Sequence, residues 1–493
     1  MPAEEVSPLP AFLLIGATII TIASFFVPQL LIALLILLAM GFVWLLSRYL
    51  LVGWFVLVAL SPLIRWELSL AWLHNWLPEY PWLYAMHAPV VEFWAVMLLL
   101  AFTIQTLRQY GAGEKVSLYA PGLIWFLFFL GSAALSLIPE LSVERGVSLK
   151  YIAHFILLFY VGYVVLGANI VENKKIWQIS LYILAAVGLG GAMLGGLSIV
   201  SHLVLGQGFS RAVPVSLWGW NPFGDNHIFL AEVITTTLPL WLYFWRAALD
   251  ITVKRWLTLT TGFMFIIGLL TLSRAAWVTL ALEAVIFFYL TREHRSWRSL
   301  LKEWWWALLV AAPAFIYLVY FLVTSSAAAG STAARLSLTD IALYLWRQHP
   351  IVGQGAGTFV ERLADISVFS LEFGAPLDAH GVVQKLLAEQ GIIGLITFGI
   401  FMAWIIRTIL LRYRDANYTE EARSAYFVSF FLVLSPLIFQ LFNTQYYSSK
   451  MWVPISLAIA QSILYRKDTH WTRLVINFKT PAVAGRRRIV TEM

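Results

Sequence analysis

Residues 178–205 read QISLYILAAVGLGGAMLGGLSIVSHLVL, with no Asp, Glu, Lys or Arg among them. Crossing a hydrocarbon core about 30 Å thick takes roughly 20 apolar residues in helix, so this stretch has length to spare. Outward from it, further apolar runs lie near 11–26, 29–46, 49–64, 90–107, 120–138, 147–167, 227–247, 256–271, 274–290, 305–323, 386–409, 426–442 and 451–465. The expected fold is an all-α polytopic membrane protein with about 14 transmembrane helices, 12 at the fewest. Composition agrees: 60% hydrophobic and 12% charged is far from the roughly 45–50% and about 25% of soluble domains. A string of soluble domains is excluded. The lack of cysteine removes disulfides, thiolate zinc sites, iron–sulfur clusters and cysteine nucleophiles together.

The net charge of +7 acquires meaning only when the 33 Lys and Arg are split by face. Alternating the spans from a cytoplasmic N-terminus places 23 of them inside, among them Arg48, Arg108, Lys174, Lys175, Arg246 and the tail cluster Arg486–Arg488. Ten fall outside. That asymmetry obeys the positive-inside rule, so both termini are expected in the cytoplasm. The first span follows the acidic Ala3-Glu4-Glu5 and has no positive n-region, and is expected to stay in place rather than be cleaved.

Four regions follow. Residues 1–323 carry the first eleven spans and a Trp-rich outer segment, 65–89 (RWELSLAWLHNWLPEYPWLYAMHAP), suited to headgroup depth. Residues 324–385 form the long outer loop, which opens on a flexible-looking TSSAAAGSTAA and continues as an amphipathic helix, RLSLTDIALYLWRQHP, closed by Pro350 and a GQGAG turn at 353–357. Residues 386–465 hold the last three spans, and 466–493 a basic cytoplasmic tail that attracts anionic lipid headgroups.

The ten outer cations are Arg65, Arg145, Lys150, Arg211, Arg274, Arg335, Arg347, Arg362, Lys385 and Lys450. Most come singly at span ends, the placement that lets several helices converge on one ligand. Arg274 sits in a Leu-Ser-Arg-Ala break between two apolar stretches, where an ionisable group at membrane depth is a functional candidate. Arg211, Arg145 and Arg335 complete the set. Guanidinium forks match phosphate oxygens bidentately, which points to a diphosphate held just above the bilayer and away from nucleic acid as a partner. No DxD pair occurs to hold a metal against it, and no cofactor is expected. His380, two residues after Asp378 and just before a re-entering helix, is the candidate for proton chemistry. His227, next to Asn226, is a weaker one.

The order of these features resembles the O-antigen ligase and polymerase family of polytopic bacterial glycosyltransferases. The resemblance is carried by Arg211 ahead of GWNPFGDNHIFLAE, by LTLSRAAWV around Arg274, by RLSLTDIALYLWRQHPIVGQGAGTF, and by DAHGVVQKLLAEQGIIGL, similar to the family's His-Asn followed by Leu-Ala-Glu-x-Gly-Ile-Ile-Gly. It implies a GT-C-like fold, an undecaprenyl-diphosphate-linked glycan as donor at the outer face of the bacterial inner membrane, a glycolipid or glycan acceptor, and metal-independent transfer. It places Arg211 and Arg274 on the diphosphate and His380 at the acceptor hydroxyl, with Asp378, Glu389, His227 and Asn226 in support. Ligase, polymerase and protein-glycosylating activities stay open, as does a flippase that grips the same diphosphate. A peptidoglycan polymerase acting through Asp340, Asp365 or Asp378 is a further alternative. One departure is clear: Gly381 stands where the family has Asn.

Overall fold

The computed structural model describes residues 29–291 apart from 70, 72–86, 115, 139–144, 207–210 and 217, and residues 326–464 apart from 367–368, 370, 372–376 and 415–419, together with 305, 312, 313, 316, 320 and 473–475. The chain runs α1 (Gln29–Leu46), α2 (Leu50–Leu60), β1 (Glu67–Ser69), β2 (His87–Pro89), α3 (Val90–Gly111), β3 (Ser117–Tyr119), α4 (Leu123–Leu135), α5 (Arg145–Ile170) and α6 (Lys174–Val204). It continues with α7 (His227–Ala247), α8 (Ile251–Leu270), α9 (Arg274–Thr291), α10 (Ser326–Gln348), α11 (Phe359–Ala364), α12 (Val382–Arg414), α13 (Glu420–Gln440), α14 (Ser449–Leu464) and β4 (Arg473–Val475).

The stretch 178–205 lies in α6, whose start is fixed by Asn173: its side chain accepts the Ile176 N–H at 3.0 Å. The expected spans coincide with helices except 11–26, which lies outside the described residues, and 305–323, which lies almost wholly outside them. Among the described residues seven helices are long and apolar enough to cross a membrane, and an eighth results if the pair Ala33–Leu46 and Leu50–Leu60, bent by 108°, is one span. α2, α4 and α14 have 11, 13 and 16 residues, or about 16–24 Å at 1.5 Å per residue, short of the core thickness. The protein is mostly helical, but not wholly so. Two antiparallel ribbons, β1 with β2 and β3 with β4, add short strands. The Ala/Ser run expected to be flexible is helical from Ser326 onward, in keeping with the high helix propensity of alanine.

α14 is the hub. Every residue from Ser449 to Ser462 is buried, the condition in which a helix apolar all round is stable. Trp452 packs face to face on Phe159 of α5, and Trp177 of α6 donates its indole N–H to the Leu457 carbonyl at 3.0 Å. α5 widens into a π-helix over Phe155–Val165, a local strain that recurs at functional sites.

Two ends of the bundle are distinct. At one, Arg108 donates to Ser47 at 3.0 Å, and Arg48, Gln109, Asn169 and Glu172 line a cavity of about 610 Å³. All of these come from segments expected inside. At the other end gather the segments expected outside, and there α12 breaks. Gly391 has φ +65, a left-handed conformation that L side chains rarely adopt, and its neighbours exchange backbone hydrogen bonds with the 350–355 turn. Gln354 N and Gly355 N donate to the carbonyls of Ala388 and Glu389 at 2.9 Å each, and Ile392 N donates to Pro350 at 3.0 Å. A Cβ on Gly391 would lie 2.4 Å from the Ile351 carbonyl oxygen. The loop and the helix lock only because that position is glycine.

Candidate functional site

Three arginines reach this end from separate elements. Ala212 N donates to the Leu270 carbonyl at 2.8 Å and Val213 N to Ser198 Oγ at 3.1 Å, stitching the Arg211 segment to the ends of α8 and α6. Leu272, with φ +53, turns the chain so that α9 begins at Arg274. Arg274 Nη2 donates to Thr332 Oγ1 on α10 at 2.9 Å, and Arg335 follows one turn later on the same helix. Burial first, and the neighbouring Arg274 charge second, hold the Arg335 guanidinium below its ordinary pKa. Arg335 Nε is buried without a hydrogen-bond partner.

The histidines join the same field. Arg211 Nη1 stands 3.5 Å from His227 Nε2, and both Arg211 and Arg335 are within electrostatic reach of that ring. His380 is partly buried. Its pKa is pushed down from 6.5 to about 4 by burial and by Arg335, with Asp378 opposing. The imidazole is therefore neutral at pH 7, able to accept a proton. Asn226 caps α7 by accepting the Ile228 N–H at 2.9 Å, which is a folding role. Arg145 begins α5 and is exposed.

Asp378 and Glu389 belong to a lock beneath this cluster. Asp378 Oδ1 receives Lys385 Nζ at 2.6 Å and Oδ2 receives the Tyr447 hydroxyl at 2.5 Å. Glu389 takes Lys385 at 3.0 Å and accepts the backbone N–H groups of Gly357 and Phe359 at 2.9 and 3.1 Å. Tyr446, hydrogen-bonded to Tyr151, and Tyr447 have hydroxyls that burial pushes to higher pKa. An Asp378 carboxylate so engaged orients the segment leading to His380 and is not a free base. Gly381 also finds its explanation, since a Cβ there would lie 2.1 Å from Gln384 Oε1 and 2.7 Å from the Leu441 carbonyl oxygen.

Sequence reasoning missed the partners: Tyr447, Tyr446 and Tyr151, and the buried pair Lys450–Glu232 at 2.5 Å with Gln440 and Gln445. The last had a signal. A carboxylate inside α7 and an ammonium at the start of α14, both at one end of apolar helices, are costly unless they meet. Among the described residues no group of three or more His, Asp or Glu gathers to hold a metal ion.

The segment that delivers Arg274, Arg335, Asp378, His380 and Glu389 has a recognisable relative. Residues 259–399 match the O-antigen ligase family. The match runs from within α8 to within α12 and leaves Arg211, Asn226 and His227 outside it. It supports an O-antigen ligase or related polymerase activity and, with the membrane-length helices, a multi-pass bacterial inner-membrane protein of lipopolysaccharide assembly. Comparison with curated proteins gives no match.

Proposed function

We propose that the chain is a glycosyltransferase that moves a glycan from undecaprenyl diphosphate to a hydroxyl of a lipid A core sugar at the outer face of the inner membrane. The observation that carries this reading is the convergence of Arg211, Arg274 and Arg335 beside His380, next to one another's like charge, at one end of an apolar bundle. Cations so placed gain most from a multiply charged anion. A diphosphate supplies the oxygens that guanidinium forks match. The reading takes both termini as cytoplasmic, a GT-C-like bundle with up to fourteen spans, and the 324–385 loop and 65–89 segment above the site.

In the reaction the acceptor hydroxyl oxygen attacks the anomeric carbon of the donor sugar, the bond from that carbon to the diphosphate oxygen breaks, and the configuration inverts. The leaving diphosphate keeps the electron pair, and the hydroxyl proton passes to the neutral imidazole of His380. Arg274, Arg211 and Arg335 stabilise the charge that develops on the leaving oxygen, the electrostatic contribution that is usually the largest. Burial and then the charge of Arg335 depress the basicity of His380 until the diphosphate binds. Neutralisation then raises it, so the base strengthens only when donor is present.

The test is transfer by purified protein with donor and acceptor. Arg274→Ala is expected to cost ~10²–10³ in rate and His380→Ala ~10²–10⁴. Full activity in both variants would overturn the assignment. Supplying a core glycolipid, a second lipid-linked repeat or a protein acceptor one at a time separates ligase from polymerase and from protein glycosylation.

A further inference from the structure

A second cavity, of about 200 Å³, is lined by Tyr447, whose hydroxyl also holds Asp378, and we infer that it is the subsite for the sugar ring of the acceptor, an uncharged pyranose presenting neighbouring hydroxyls. The inference rests on the transferase reading above. The cavity is lined by Arg65, Glu67, Glu92, Gln445, Tyr447 and Ser448 among others. Tyr447 is a shared wall: it lines the cavity while its hydroxyl holds Asp378, two residues before His380.

Charge argues against a second diphosphate site. Two carboxylates, Glu67 and Glu92, line it with a single guanidinium; Glu92 is also bonded to His154 Nε2 at 3.0 Å, and Arg65 is beside Glu67 at 3.9 Å and over the Phe229 ring at 4.7 Å. Such a lining repels an anion. It suits hydroxyl groups, since each carboxylate oxygen accepts from an O–H while the amide, the serine and the guanidinium donate to ring and hydroxyl oxygens. The volume is below the usual range for drug-sized ligands, which limits the occupant to about one ring.

A pyranose also needs an apolar face, and the chain next to the lining residues Arg65 and Glu67 carries one. Trp66, between two lining residues, meets Trp220 edge to face at 5.3 Å, and the two are 38% and 45% exposed. Next to Trp220, Trp218 takes φ +51 and is 100% exposed. A non-glycine residue in that region is strained and persists where the surrounding structure imposes it. Glu67 is held at the mouth by the β1–β2 ribbon, by Val90 N donating to Trp66 at 2.8 Å, and by Arg65 N donating to Pro222 at 3.3 Å. The ribbon is also the root of the Trp-rich segment.

Two half-exposed positions test the subsite in the full-length protein, with lipid A carrying core sugars as acceptor probe. Glu67→Gln and Trp220→Ala are each expected to raise acceptor KM about tenfold, the equivalent of one lost hydrogen bond or ring contact, and to leave donor KM and kcat in place. Because the chain has no cysteine, Glu67→Cys creates a unique thiol. Its labelling by a maleimide is expected to slow when the acceptor probe is added and to stay fast with undecaprenyl diphosphate. Protection by undecaprenyl diphosphate instead, or intact transfer with unchanged acceptor KM and an unprotected thiol, would sink the subsite while leaving the transferase reading standing. Absence of transfer by the wild-type protein would sink that reading, and the labelling would still report binding.

Discussion

Two groups of cations sit at the same end of the bundle and are treated in opposite ways. Lys450 and Lys385 each meet carboxylates in a buried network: Lys450 with Glu232 at 2.5 Å and Gln445 at 2.7 Å, Lys385 with Asp378 and Glu389 at 2.6 and 3.0 Å. Arg335 and His380 are instead perturbed chiefly by burial and then by a neighbouring positive charge, Arg274 on Arg335 and Arg335 on His380, with Asp378 opposing on His380. The first arrangement is complete as it stands. The second sets positive groups beside one another, an arrangement that an added anion would relieve.

The contrast breaks most sharply on stability. Lys450→Ala leaves the buried Glu232 without its counter-charge, with Gln440 its remaining partner, expected to cost about 3–5 kcal/mol and to show as lost folded yield or a large drop in thermal midpoint. Arg335→Gln removes one member of a like-charged group, so the thermal midpoint should hold or rise while donor-dependent activity falls. If the two substitutions destabilise equally, the distinction between the groups fails.

A smaller effect is expected where the lock meets the site. Tyr447→Phe deletes the hydroxyl that donates to Asp378 while Lys385 keeps the other oxygen. The expected result is about a tenfold fall in kcat with donor KM unchanged, because a base displaced by a fraction of an ångström reacts less often without binding less. A shift in donor KM alone would remove Tyr447 from this role.

Much of the scaffold was legible because a membrane imposes length on each apolar run, and 178–205 could be nothing shorter than a helix. The arginines were legible for a related reason: the positive-inside rule explains most cations and leaves ten over, Arg211, Arg274 and Arg335 among them. What escaped were relations between distant parts of the chain. Tyr447 meets Asp378 across 69 residues and Lys450 meets Glu232 across 218, and neither hydropathy nor spacing encodes such pairs. The break at Gly391 escaped because Leu-Ala-Glu-Gln-Gly-Ile-Ile-Gly reads as continuous helix until the 350–355 turn is seen to need its carbonyls and N–H groups. The helix from Ser326 escaped because a run of small residues suggests flexibility by pattern, whereas alanine favours helix most.

The finest test of the contrast is the acid limb of the pH profile. His380 must be neutral to accept a proton, and its pKa in the free protein is pushed down to about 4 by burial and then by Arg335. Activity governed by the free protein should therefore persist as pH falls below the ordinary histidine value and be lost only near that lower one. Arg335→Gln takes away a depressing charge, so the acid limb of kcat/KM should move to higher pH, toward 6.5. Stability carries the same sign: the unfolded chain takes up the proton below about 6.5 and the folded chain resists until about 4, so this group weakens the fold as pH drops through that window. Bound diphosphate should act like the substitution, raising the pKa of His380 and with it the acid limb of kcat above that of kcat/KM. An acid limb that stays put on both counts would mean that the arginines and His380 do not share one field, and would separate the anion site from the proton chemistry.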